Sequence, residues 1–93
     1  MNCKISVIIP CYCSKNRHDW SRLYLSLLGY SNQSLSPEKF EVIVVDDGSE
    51  WDIAELVSSW NLNFPIKVIH QAHKGMCSAY KKGIEHSLGE YIL

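Results

Sequence analysis

Four short runs rich in β-branched residues alternate with three segments of helical period, and this alternation restricts the chain to very few folds. Ile5 to Pro10 (ISVIIP) is a continuous apolar run closed by proline, as expected of a parallel strand buried on both faces. Trp20, Leu23, Tyr24, Leu27 and Leu28 then fall on one face of a helix, with Asp19 placed to cap it. Gly29 and the stretch Ser31 to Pro37 end that helix and form a loop. Phe40 to Val45 (FEVIVV) is a second strand, interrupted by Asp46-Asp47-Gly48-Ser49. Ile53, Leu56, Val57 and Trp60 mark a second helical face, with Ser49 available as its cap. Pro65 precedes a third strand, Ile66 to His70 (IKVIH). Gly75 opens a third helix with Met76, Ala79, Tyr80, Gly83 and Ile84 on one face and Gly89 as its C′ residue. Glu90 to Leu93 (EYIL) begins a fourth strand.

The reading is therefore β-α-β-α-β-α-β, an α/β chain whose short connections require a parallel sheet, right-handed crossovers and helices on the sheet faces. A buried parallel strand makes a poor final element, so the chain reads as truncated after its fourth strand. Such a truncation exposes apolar surface, and a homo-oligomer covering the fourth strand and the third helix is the expected consequence.

Composition narrows the function classes. A net charge of -1 gives no electrostatic footprint for nucleic acid. No apolar run reaches the ~18 residues of a membrane span, and Val7-Ile8-Ile9 is too short for the core of a signal peptide. Cys3, Cys11, Cys13 and Cys77 include one Cys-x-Cys pair but no second pair to complete a zinc site, so they read as reduced thiols. His70 and His73 lack a carboxylate placed by spacing to finish a metal site. The expected location is cytoplasmic, with peripheral attachment at the inner membrane face open to the full-length protein.

In a parallel sheet every strand ends at one edge, and ligands bind there. Two loops stand out: Pro10-Cys11-Tyr12-Cys13 after the first strand and Asp46-Asp47-Gly48-Ser49 after the second. Adjacent carboxylates repel and are costly to desolvate, so one is expected to face ligand or solvent and the other backbone N–H groups. A carboxylate here suits a base N–H or a ribose hydroxyl; it also suits a plain capping turn with solvated acids. The Tyr12 ring suits either a nucleobase or packing on the first helix. Lys74-Gly75, at the third helix N-terminus, suits a phosphate, although an exposed lysine is the commoner case. Lys81-Lys82 reads as a solvated helix face, and nothing in the spacing of Arg17, His18 and Asp19 requires a donor contact.

SVIIP-x-Y at Ser6 to Tyr12, EVIVVDDGS at Glu41 to Ser49, Gly75 ahead of Ala79 and Gly83-Ile84, and GEYIL at Gly89 to Leu93 together resemble the family 2 glycosyltransferases of the GT-A fold. The resemblance implies that residues 1–93 are the N-terminal nucleotide-sugar-binding part of an incomplete glycosyltransferase domain. It implies an enzyme moving a sugar from a nucleotide-diphospho-sugar, UDP-linked and with inversion, to a glycan, lipid or protein acceptor. Donor contacts would fall on Pro10, Cys11, Tyr12, Asp46, Asp47, Lys74 and Gly75, with the Tyr12 ring and an Asp47 oxygen facing one cleft. The strand order would be third, second, first, fourth. Mn²⁺ or Mg²⁺ would be held by an Asp-x-Asp motif beyond Leu93, and a carboxylate base would lie further on, so the 93-residue piece would bind the donor nucleotide without turnover. Cys13, Glu50-Trp51 and Tyr80-Lys81 depart from the Asn, Thr-Asp and Arg-Asn common at these places. The alternative is a non-catalytic nucleotide-binding or interaction module. A response-regulator receiver domain is disfavoured, because its acidic pair follows the first strand and no Asp follows Asp52 here to accept phosphate.

Overall fold

The computed structural model describes residues 4–15, 20–32 and 36–93. Asp19, read above as a helix cap, lies outside these residues, as do Cys3, Arg17 and His18. The strands are β1 (Ile5–Cys11), β2 (Phe40–Asp47), β3 (Ile66–Gln71) and β4 (Tyr91–Ile92). The helices are α1 (Trp20–Leu28), α2 (Ile53–Ser59) and α3 (Met76–Glu85), with short 3₁₀ turns at Gly29–Asn32 and Pro37–Lys39. All strand pairs are parallel, as the sequence pattern predicts, and their order is β3-β2-β1-β4, as the family resemblance implies. Each β-α-β step returns to an adjacent strand except the last, which crosses to the far side of β1 and creates the switch in strand order.

β2 is central, and every one of its residues is buried. Side chains alternate across it, which divides the core into two layers. Val42 and Val44 pack with Leu23 and Leu27 of α1 and with Ile53 and Val57 of α2. Ile43 and Val45 face the other way, onto Ile8 and Ala79 of α3. The two helices of the first layer are also joined by aromatic contacts, with Tyr24 and Trp60 4.9 Å apart between ring centroids.

The third helix lies close to the sheet because Gly83 has no side chain. A Cβ there would collide with Ile8 Cγ2. Ala79 and Gly83 are the buried residues of α3, while Met76, Tyr80 and Ile84, expected on the same face, remain substantially exposed. Gly89 is not the helix cap expected of it. α3 ends at Glu85 with His86 as cap, and Gly89 lies where a Cβ would stand 2.6 Å from Ser6 Oγ. Its small size lets the chain pass β1 on the way to β4. Among the described residues no helix is long and apolar enough to cross a membrane.

Candidate functional site: the carboxyl edge of the sheet

Parallel pairing sets Cys11 opposite Asp46, Asp46 opposite His70 and Asp47 opposite Gln71. The loops after β1, β2 and β3 therefore meet at one edge. The first two are joined directly. The Cys13 N–H donates to Ser49 Oγ at 2.8 Å, the Glu50 N–H donates to the Cys13 carbonyl at 3.0 Å, and Trp51 Nε1 donates to the Ser14 carbonyl at 3.0 Å. Ser49 thus ties two loops together and does not cap α2. That cap is Asp52, whose carboxylate accepts the Glu55 N–H at 3.1 Å.

The acidic pair differs from expectation in its surroundings. Both carboxylates are buried, and neither opens to solvent. Asp46 Oδ1 accepts the Ser49 N–H at 2.8 Å, and Oδ2 lies 2.8 Å from His70 Nδ1. Asp47, 0% exposed, is the hub of the β3–α3 loop. Its Oδ1 accepts the Lys74 N–H and the Gln71 side-chain amide, both at 2.8 Å. Its Oδ2 accepts the Gly75 N–H at 2.9 Å and lies 2.9 Å from His73 Nδ1. The Lys74 N–H, the Gln71 amide, the Gly75 N–H and His73 together hold the Asp47 carboxyl down to about 2, against the opposing effect of burial. The acids can sit side by side because protein donors replace the water that each has lost.

Glycine is required at two points of this arrangement. Gly48 has φ +76°, and a Cβ on it would stand 2.8 Å from the His73 backbone nitrogen, so the β3–α3 loop closes over the β2 turn only with glycine there. Gly75 has φ +104° and turns its N–H toward Asp47 at the start of α3.

Pro10, Cys11 and Tyr12 line a cavity of about 350 Å³ together with Cys13, Arg22 and Met76. Tyr12 is 37% exposed and does not pack away under α1. Burial, reinforced by the neighbouring Cys13 thiol and the acids of β2, pushes the Cys11 thiol up, so it stays neutral and lines the cavity as an apolar group. Asp47 does not face this cavity. Between it and Tyr12 stands His73, whose ring centroid is 4.5 Å from that of Tyr12. The structure thus forms two clusters, Pro10-Cys11-Tyr12 at the cavity and Asp47-Lys74-Gly75 behind it, linked by a histidine not selected from sequence. Its only sequence signal was its place in the loop after β3.

The four-stranded parallel order and the site at its carboxyl edge define a GT-A-type α/β fold. The model of the family described as Glycosyl transferase family 2 matches residues 6–93, and the chain belongs to that family. It is 42% identical over 89 residues to an uncharacterized glycosyltransferase of Rickettsia bellii, covering 96% of this chain and 12% of that protein. It is 33% identical over 94 residues to the dolichol-phosphate mannosyltransferase of Pyrococcus furiosus, covering 97% and 24%. The crystal structure of S. aureus TarS 1-349 superposes with a TM-score of 0.77 at 26% identity, covering 97% of this chain and 26% of that one. The same TarS piece in complex with UDP-GlcNAc gives a TM-score of 0.73 at 26% identity, covering 97% and 25%. The chain spans between 12% and 24% of the length of the curated relatives it matches.

Proposed function

We propose that residues 1–93 are the donor-nucleotide-binding part of a glycosyltransferase domain that uses a UDP-linked sugar and inverts the anomeric centre. The observation that carries this reading is the half-open Tyr12 ring, set beside a cavity at the strand switch point of a family 2 fold. The likeness to a TarS structure containing UDP-GlcNAc supports UDP as the nucleotide. Pro10, Cys11 and Tyr12 supply the wall on which a base and ribose lie, at ~1–3 kcal/mol for a stacked base. Asp46 and Asp47 act by shaping the edge, since their oxygens are already taken by protein donors. Lys74 and Gly75 stand behind this wall, outside the cavity lining, and approach the base or diphosphate from the α3 N-terminus. The acceptor is a glycan, lipid or protein.

The divalent cation implied by the family does not fit these residues. Among the described residues no group of three or more His, Cys, Asp or Glu side chains could hold a metal ion. An Asp-x-Asp motif outside residues 1–93 is the proposed holder of Mn²⁺ or Mg²⁺.

The test is a titration of the chain with UDP and GDP followed by amide NMR shifts. Saturable shifts at Tyr12, Gly48, Lys74 and Gly75, stronger for UDP, are expected. No saturable shift with either nucleotide would overturn the reading.

A further inference from the structure

The His73 side chain touches both clusters of the site. Its Nδ1 lies 2.9 Å from Asp47 Oδ2 and 3.0 Å from the Asp47 carbonyl oxygen. Both neighbours only accept hydrogen bonds, so Nδ1 carries the hydrogen and donates, which fixes the tautomer and the plane of the ring. The other end of the anchor is itself fixed, because Asp47 is fully buried and held by Lys74, Gly75 and Gln71. The His73 backbone is held too, against the Gly48 turn. From this base the imidazole lies against Tyr12, with centroids 4.5 Å apart and planes tilted by 39°. Tyr12 lines the cavity and His73 does not, so the histidine backs the tyrosine from outside it.

We propose that His73 is a positioning residue for nucleotide recognition, carrying the fixed geometry of the Asp47 carboxylate to the Tyr12 ring and bracing that ring so that a nucleobase meets it already oriented. The inference rests on the reading of the cavity as a nucleotide site. It gives Asp47 an effect on the base that requires no contact with it. The physical gain is preorganisation: a tyrosine at the surface otherwise loses rotamer freedom on binding, and a stacked neighbour removes part of that cost beforehand.

Three variants separate the brace from a merely structural role. His73→Asn keeps an N–H for Asp47 but has no ring, whereas His73→Phe keeps a ring and loses the N–H; His73→Ala loses both. UDP affinity is expected to fall about three- to tenfold in His73→Ala and His73→Asn and to recover only in part in His73→Phe, which restores the stacked ring without its anchor on Asp47. The Tyr12 ring-proton resonances should shift in the first two variants, where the stacked ring current is gone, and stay near their wild-type positions in the third. The opposite ranking, with Asn rescuing and Phe failing, would mean that His73 only holds the loop, and would overturn the proposal. So would Tyr12 resonances and UDP affinity indifferent to all three. If the wild type binds no UDP, the nucleotide reading fails along with the brace's purpose, while UDP binding that ignores His73 sinks the brace alone.

Discussion

The His73 backbone nitrogen lies 2.8 Å from the point where a Cβ on Gly48 would stand, so the β3–α3 loop rests directly on the turn that ends β2. The neighbour is backbone and cannot swing aside, and Gly48 has φ +76°. Gly48→Ala therefore combines left-handed strain with a collision. We expect a loss of roughly 1–3 kcal/mol in urea unfolding, with amide shifts concentrated at residues 72–75. A stability equal to wild type would show that the loop does not rest on the turn in solution.

Asp47 contributes a specific pH dependence. Its carboxyl is held at about 2, below the ordinary 3.8, so the folded chain binds this proton less tightly than the unfolded chain. The stability it supplies is fully present above pH 3.8 and is lost as pH falls toward about 2. Asp47→Asn should be less stable than wild type at neutral pH, and the difference should shrink across that acid window. Unfolding curves taken between pH 6 and pH 2 measure it; a constant difference between the two proteins would show that the carboxylate is not the source.

The thiols should divide by burial. Cys11 and Cys13 are buried, and burial keeps the Cys11 thiol protonated, whereas Cys77 is exposed at the start of α3. Mild alkylation at pH 8 followed by peptide mass mapping should label Cys77 while Cys11 and Cys13 stay unmodified until the chain is unfolded. Labelling of Cys11 at the rate of Cys77 would mean that the β1 loop opens freely.

The fold was legible because strand and helix periods alternate without ambiguity, and the strand order, which right-handed crossovers permit, was implied by the family resemblance. The meeting of the loops after β1, β2 and β3 at one edge was legible too, since parallel strands share a carboxyl end. The orientation of the acidic pair was not. Asp46 accepts one local donor, the Ser49 N–H, but it meets His70 across 24 residues and Asp47 meets Lys74 across 27, so no local pattern could show the partners that come from the next strand and loop. Ser49 and Gly89 were misread for a related reason. Each has the residue type of a helix cap, but each is engaged by a distant element, Cys13 for Ser49 and Ser6 for Gly89. Periodicity grouped Tyr80 and Ile84 with Ala79 and Gly83, but the face that α3 buries is centred on Ala79 and Gly83 and flanked by the half-buried Ser78 and Lys82, which leaves Tyr80 and Ile84 exposed.

The opposite edge of the sheet carries a buried carboxylate whose work is to hold β4. Glu41 is 5% exposed at the start of β2. Its Oε2 accepts the Ser6 hydroxyl and the Leu88 N–H, each at 2.6 Å, and Ser6 Oγ in turn accepts the Gly89 N–H at 2.8 Å. This network fixes the α3–β4 turn against β1, after which Tyr91 and Leu93 pair with Lys4 and Ser6. The Lys67 ammonium, 3.9 Å from Oε1 on a half-exposed side chain, adds little. Glu41→Ala strips a buried hydroxyl and a backbone N–H of their acceptor at a cost of about 1–3 kcal/mol for each donor left unsatisfied. Glu41→Gln should cost less, because an amide oxygen still accepts, and Lys67→Ala should stay within about 0.5 kcal/mol of wild type. Hydrogen exchange localises the effect: the amides of Leu88, Gly89, Tyr91 and Leu93 should lose protection in Glu41→Ala, while Val42 to Val45 in the central strand keep theirs. Unchanged protection at Leu88 would show that something other than this carboxylate secures the turn, and a uniform loss across β2 would show that the network supports the whole sheet and not β4 alone.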